Sequence, residues 1–148
     1  MTAEETYVDP SALTRLYLHQ PGSAEVVKWR GRHSGSLTVT HHGRVEVINA
    51  ISLACFRKEI SADEAEKAWG YFDHDFANGL LVQADILWRA ALQRANELSR
   101  AHSPELGSRS LDVLHVACAL ELKLRALLTF DDRQRKLAAA VGLKPVLL

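Results

Sequence analysis

Four carboxylates stand where a folded chain could gather them. Asp9 follows the short β-prone run Thr6-Tyr7-Val8, and Asp131 follows Leu127-Leu128-Thr129-Phe130, with Asp132 beside it. Acids at the ends of two parallel strands share one rim of a sheet, which is where ligands bind in open α/β folds. Glu46 and Asp112 have apolar neighbours instead, Val45-Glu46-Val47-Ile48 and Leu111-Asp112-Val113, the second on a helical row with His115, Val116 and Ala119. A carboxylate beside a core is costly unless a positive or hydrogen-bonding group meets it. Each acid also has a plainer reading: Asp9, Asp112 and Asp131 as helix caps, and Glu46 as the ion-pair partner of Arg44. Convergence favours chemistry. Carboxylates in one crevice repel one another and hold protons they would otherwise lose, and a hard divalent cation removes that repulsion. Magnesium or manganese takes oxygen ligands, and one or two such ions can orient a water for in-line attack on a phosphodiester.

The elements that must position these acids follow from apolar periodicity. Thr6-Tyr7-Val8 reads as a strand, and Asp9-Pro10-Ser11 as the start of a helix running to about residue 19, before Pro21-Gly22. Further helices are expected at 23–29, 42–58, 61–72, 84–100, 111–122 and 132–141. The one at 61–72 opens on a Ser61-Ala62-Asp63-Glu64 capping box. Strands are expected at 36–40, 79–83, 126–130 and 144–148, and a loop at 102–108 holding Pro104 and Gly107. Strands alternating with helices of ten or more residues predict a mainly parallel sheet covered on both faces. With no internal repeat or linker-like stretch, residues 1–148 read as a single domain.

Composition narrows the function classes. The 148 residues carry 18 Lys plus Arg against 18 Asp plus Glu, which excludes a protein that grips nucleic acid by bulk positive charge. A chain of this size builds a core without disulfide or zinc staples, and Cys55 and Cys118 fall in apolar helical segments as small buried thiols. The first residues hold two glutamates and no apolar leader, and no apolar run spans a bilayer, so the expected setting is the cytoplasm, without a membrane. No HExxH, paired CxxC, GxSxG or P-loop pattern occurs, so the corresponding zinc, serine and nucleotide hydrolases lack their required groups.

Four segments in order carry a resemblance: Tyr7-Val8-Asp9-Pro10-Ser11-Ala12-Leu13, Arg44-Val45-Glu46, Arg109-Ser110-Leu111-Asp112-Val113-Leu114-His115-Val116-Ala117, and Thr129-Phe130-Asp131-Asp132-Arg133. Together they resemble the successive motifs of PIN-domain ribonucleases of the VapC toxin type, over essentially the whole chain. The resemblance implies a three-layer α/β/α fold around a mainly parallel sheet of four to five strands. It also implies Mg2+- or Mn2+-dependent endoribonuclease activity, a small antitoxin partner and a homodimer. Asp9, Glu46, Asp112 and Asp131 correspond to the family's metal-site acids, and Ser11 and Thr129 to the hydroxyls that support the first and last of them. Asp132 has no clear counterpart. Two departures stand out. Pro10 replaces a usual Thr or Ser, and His41-His42-Gly43 replaces a Ser/Thr-bearing turn, where the glycine is expected to loosen the approach of Glu46.

Arg15, Arg44, Arg109 and Arg133 flank the acidic motifs and are candidates for phosphate contacts, since guanidinium pairs bidentately with phosphate oxygens. The plainer reading is that they neutralise the acids, or sit in water, as Arg15 is expected to. Trp29, Trp69 and Trp88 read as packing residues, with an exposed face of Trp29 as a groove for an antitoxin helix. His74-Asp75, with His33, His41 and His42 upstream, is similar to the metal-binding pair of HD phosphohydrolases, but those are all-helical and this chain has strands. Two other classes stay open: a catalytically weak or inactive PIN-like binding module, and a phosphatase or DNA nuclease using the same acids.

Overall fold

The computed structural model describes residues 2–148. Its first strand, β1 (Thr6–Val8), leads into one helical turn, α1 (Pro10–Leu13). Then come α2 (Ser23–Arg32), β2 (Leu37–Val39), α3 (His41–Phe56), α4 (Ala62–Ala77) and β3 (Leu81–Gln83). The second half holds α5 (Trp88–Leu106), α6 (Ser110–Glu121), β4 (Ala126–Leu128), α7 (Asp132–Ala140) and β5 (Lys144–Pro145).

Every strand pairing is parallel. β1, β4 and β5 form one ladder with Tyr7 opposite Leu127, and β2 and β3 form a second with Leu37 opposite Leu81. β2 packs beside β1, giving the order β3-β2-β1-β4-β5. From β1 the chain proceeds to one side for β2 and β3, then returns to the other side for β4 and β5. The order therefore reverses between β1 and β4, and their carboxyl ends frame the crevice expected to hold ligands.

Side chains along a strand alternate between faces, and here each face has its own core. Val8 and Leu128 join Val47, Ile51 and Phe72 under α3 and α4. Tyr7 and Leu127 join Val116, Cys118 and Leu137 under α5, α6 and α7. Three layers, helix on sheet on helix, result.

Several element ends differ from expectation, for local reasons. α1 tightens after Leu13 into a 3-10 turn over Thr14–Leu16 rather than reaching residue 19, and the Ser23 hydroxyl takes up the Leu18 carbonyl at 2.9 Å. Residues expected to start a helix at 84 extend the β3 edge, the Ala84 amide donating to the Val39 carbonyl at 2.7 Å. At its other end α5 runs through Pro104. A proline so near a helix end removes one bond rather than a ladder of them, and Gly107, at φ +65°, supplies the left-handed cap. α4 runs on to residue 77, which places His74 and Asp75 inside a helix. Asp75 accepts from the Tyr17 hydroxyl at 2.5 Å while His74 meets Asn78. With His33 stacked on Trp29, the HD-type reading has no geometric basis. The last strand stops at Pro145, although the Val146 amide still donates to Leu127. No helix among the described residues is long and apolar enough to cross a membrane.

Candidate active site

Asp9 ends β1 and is 4 % exposed. Such a carboxylate needs donors on both oxygens, and it has them. Oδ2 accepts from the Ser11 amide at 3.0 Å, as an N-cap does, and from the Thr129 hydroxyl at 3.4 Å. Oδ1 accepts from Gln134 Nε2 at 3.0 Å. The two supporting hydroxyls bind the β4 end to the β1 end: Thr129 accepts from the Asp131 amide at 3.1 Å, and Ser11 from the Phe130 amide at 3.0 Å. Pro10 takes the first position of α1 without disturbing this.

Asp131 caps α7, Oδ1 accepting from the Gln134 amide at 2.8 Å. Asp112 lies in the first turn of α6 but caps no helix. Its partner is Arg109, whose Nε stands 3.0 Å from Asp112 Oδ2 and whose Nη2 stands 3.0 Å from Asp131 Oδ2. Burial lifts the Asp112 carboxyl above the usual carboxylate range, Arg109 pulls it back, and Asp131 and Asp9 push it up again. Asp132 turns outward and pairs with Arg135, so Asp131 is the acid that faces inward.

Glu46 lies half-buried on α3. Its partner is His115 rather than Arg44: His115 Nε2 stands 2.8 Å from Glu46 Oε1 and 4.0 Å from Asp9 Oδ1. Residues two apart on a helix face different ways, and Arg44 instead lies over the Phe76 ring, 3.8 Å from Asp73. His115 is fully buried, its Nδ1 2.5 Å from the Tyr7 hydroxyl. Burial holds the Tyr7 phenol well above its usual range, so it keeps its proton and can donate. One direction of donation satisfies every group: Gly43 amide to Thr40 hydroxyl at 3.0 Å, Thr40 to Tyr7 at 3.4 Å, Tyr7 to His115 Nδ1, and His115 Nε2 to Glu46. Gly43 does not loosen this approach. It is buried in an unbroken α3, and a Cβ there would meet the Thr40 hydroxyl at 2.8 Å, so the bare backbone is what lets that hydroxyl cap the helix. Next to it His42 stacks on His115, ring centroids 4.2 Å apart, and burial pushes its imidazole down to about 3.

All four acids, with Ser11, Arg15 and Arg109, line one cleft of about 400 Å³. Arg44 and Arg133 do not line it, and Arg133 reaches the Gly107 carbonyl on the outside. Arg15 is not free in water as expected. It lies 3.8 Å over the Phe130 ring at the cleft wall and donates to the Pro21 carbonyl. The donor set fits a hard divalent cation: the acids facing the cleft offer carboxylate oxygens, and burial and acidic neighbours hold Asp112 toward its protonated form. Sequence reasoning missed Gln134, Tyr7 and the role of His115. The available signals were a glutamine three residues after a capping Asp and a histidine one turn after Asp112, both on inward faces.

The PIN domain family model matches residues 6–140. The chain belongs to the PIN domain family, whose members are generally metal-dependent nucleases that act on RNA. A comparison with curated proteins gave no match.

Proposed function

We propose that the protein is a Mg2+- or Mn2+-dependent endoribonuclease of the VapC toxin type, residues 1–148 forming one catalytic domain. The observation that carries this reading is the meeting of Asp9, Glu46, Asp112 and Asp131 in one cleft at the point where strand order reverses. Asp9, Asp112 and Asp131 would hold the ion, and Glu46, directed by His115, would complete or adjust the site. When bound, the ion supplies counter-charge to the phosphate and acidity to a water nucleophile. The protein's own part is positional. Gln134, Ser11 and Thr129 fix Asp9, and the α7 amide fixes Asp131. Arg109 and Arg15 offer guanidinium groups to RNA phosphates at the cleft mouth.

The toxin role rests on the resemblance of the four motifs, which also supports a homodimer, a small antitoxin and a cytoplasmic setting. Trp29 is 7 % exposed rather than open, but it walls an apolar hollow of about 420 Å³ with His33, Val146 and Leu147 that suits an antitoxin helix. Purified chain, freed of partner, should cleave RNA with Mg2+ or Mn2+ and not in chelator. Asp9→Asn should abolish cleavage while the circular dichroism spectrum is kept. Cleavage that persists in chelator defeats the mechanism.

One observation favours a second reading, a PIN-like binding module. Arg109 already compensates Asp112 and Asp131, so the acids do not need an ion to coexist. Calorimetry showing no Mn2+ uptake near neutral pH would select the module.

A further inference from the structure

Two ring nitrogens of His42 are buried and have no hydrogen-bond partner among the described residues. Buried polar atoms are rarely left so, and each case asks what it is for. His42 lies one helical turn before Glu46 on α3, so both side chains share a face, and His115 reaches that face from α6. One nitrogen of each histidine and a Glu46 oxygen all lie within 4.8 Å of one another.

We infer that His42, Glu46 and His115 form a binding site for a borderline transition-metal ion, Zn2+ being the type, distinct in donor chemistry from the carboxylate cleft. Two imidazoles and a carboxylate make the donor set of open zinc sites, with ligand distances of about 2.0–2.2 Å and a fourth position left over. Tetrahedral ligands at such distances lie about 3.4 Å from one another, so ligand atoms now within 4.8 Å must draw together. The His42 ring must also turn out of its stack on His115 so that both rings aim a lone pair at the ion. Imidazole ranks late first-row ions above Mg2+ and Mn2+, whereas the all-oxygen cleft suits the hard ions.

The surrounding groups can serve as a supporting shell. For His115 to ligate through Nε2, its proton must move to Nδ1. Tyr7 then accepts that Nδ1–H and turns its own hydroxyl toward Thr40, 3.4 Å away, while Thr40 rotates its hydroxyl hydrogen away from Tyr7 and accepts from both Gly43 and Tyr7. The proton count is unchanged: one leaves Nε2, one arrives at Nδ1, and Tyr7 keeps its own. A ligating histidine that donates its other N–H in this way is the usual means of fixing its orientation. The ion enters on the side of His42 and Glu46, the two partly exposed members, because His115 is sealed off.

The site shares Glu46 with the cleft but does not depend on RNA cleavage. Tag-free full-length protein titrated with Co2+ reports it directly, since a site of this kind gives a visible d–d absorption that hard-ion sites with six oxygen ligands show only weakly. The expected result is one saturable band, displaced by Zn2+ and not by excess Mg2+. Cobalt affinity should fall at least about tenfold in His42→Leu, which keeps the bulk of the ring, and survive in Asp112→Asn. No band in the wild type, a band unaltered by His42→Leu, or a band lost in Asp112→Asn overturns the inference. If His42→Leu does not fold, X-ray absorption of the zinc-loaded wild type decides: two imidazole ligands support the site, fewer refute it. Failure here leaves the nuclease reading intact, because chelator-sensitive RNA cleavage tests that separately.

Discussion

His115 Nε2 and Glu46 Oε1 stand 2.8 Å apart although 69 residues separate them in the chain. That contact joins α6 to α3 across the end of β1 and sets the direction of the one cleft acid that is not at a strand end or in the first turn of α6 or α7. Replacing His115 by Ala removes a fully buried ring and leaves the Tyr7 hydroxyl and Glu46 without their partner. The expected destabilisation is about 2–4 kcal/mol, read as a lower urea midpoint at unchanged slope. An unchanged midpoint would show that the contact contributes little.

Asp9→Asn keeps shape but turns one carboxylate oxygen into a donor. Ser11, Thr129 and Gln134 all donate to Asp9, so the new amide N–H either faces the Ser11 amide or forces the Gln134 side chain to flip, giving up its bond to the Asp112 carbonyl. A loss of about 1–2 kcal/mol follows, small enough to leave the chain folded at 25 °C. RNA cleavage should fall by two orders of magnitude or more if the proposed chemistry holds.

The pH dependence of metal uptake turns on Asp112. Its folded-state carboxyl sits above the usual value, so the fold favours the protonated form, and that group's stabilisation is full at low pH and lost as pH rises through its folded value. Cation binding needs the ionised form. Mn2+ affinity should therefore begin to weaken, on lowering pH, before ordinary carboxylates titrate, and Asp112→Asn should raise the melting temperature of the metal-free chain while lowering Mn2+ affinity. A melting temperature that falls instead would reverse the assigned sign.

Arg109 is a competitor as well as a candidate phosphate ligand. Its side chain is 70 % exposed, so Arg109→Gln should cost under about 1 kcal/mol in stability. Freed of that guanidinium, Asp112 and Asp131 should take up Mn2+ more tightly by calorimetry, while KM for RNA rises. Weaker Mn2+ binding in this variant would contradict the competition.

Asp132→Asn is the matching control. The side chain faces solvent and pairs only with Arg135, so stability should stay within about 0.5 kcal/mol and Mn2+ affinity should not change. A loss of affinity would mean that Asp132, not Asp131, serves the cleft.

What the sequence made readable follows from range. Asp9 and Asp131 could be placed because a strand, an acid and a helix start are all local signals, and parallel order then puts both at one rim. Glu46 and Asp112 stood out as acids among apolar neighbours. The groups that hold them did not. Gln134 looks like a surface residue of a charged helix, yet it is fully buried between Asp9 and the Asp112 carbonyl. Tyr7 looks like core and also carries a hydrogen bond. Proximity suggested Arg44 for Glu46, but helical geometry points the two apart, and only the docking of α6 supplies His115. The far end of α5 was misjudged because proline is a strong local stop signal, while its cost depends on how much helix remains beyond it.

The donors that run from Gly43 through Thr40, Tyr7 and His115 end on Glu46, three residues further along the helix they started from. The loop is closed, and it passes through β1 and α6 on the way. α3 is therefore held in one rotational register. Sliding it by a single residue turns it by about 100° and parts both ends of the loop together. The direction of Glu46 therefore depends on both ends at once, so losing the Tyr7 or the His115 contact should disturb the cleft on this side even where Glu46 itself is unchanged.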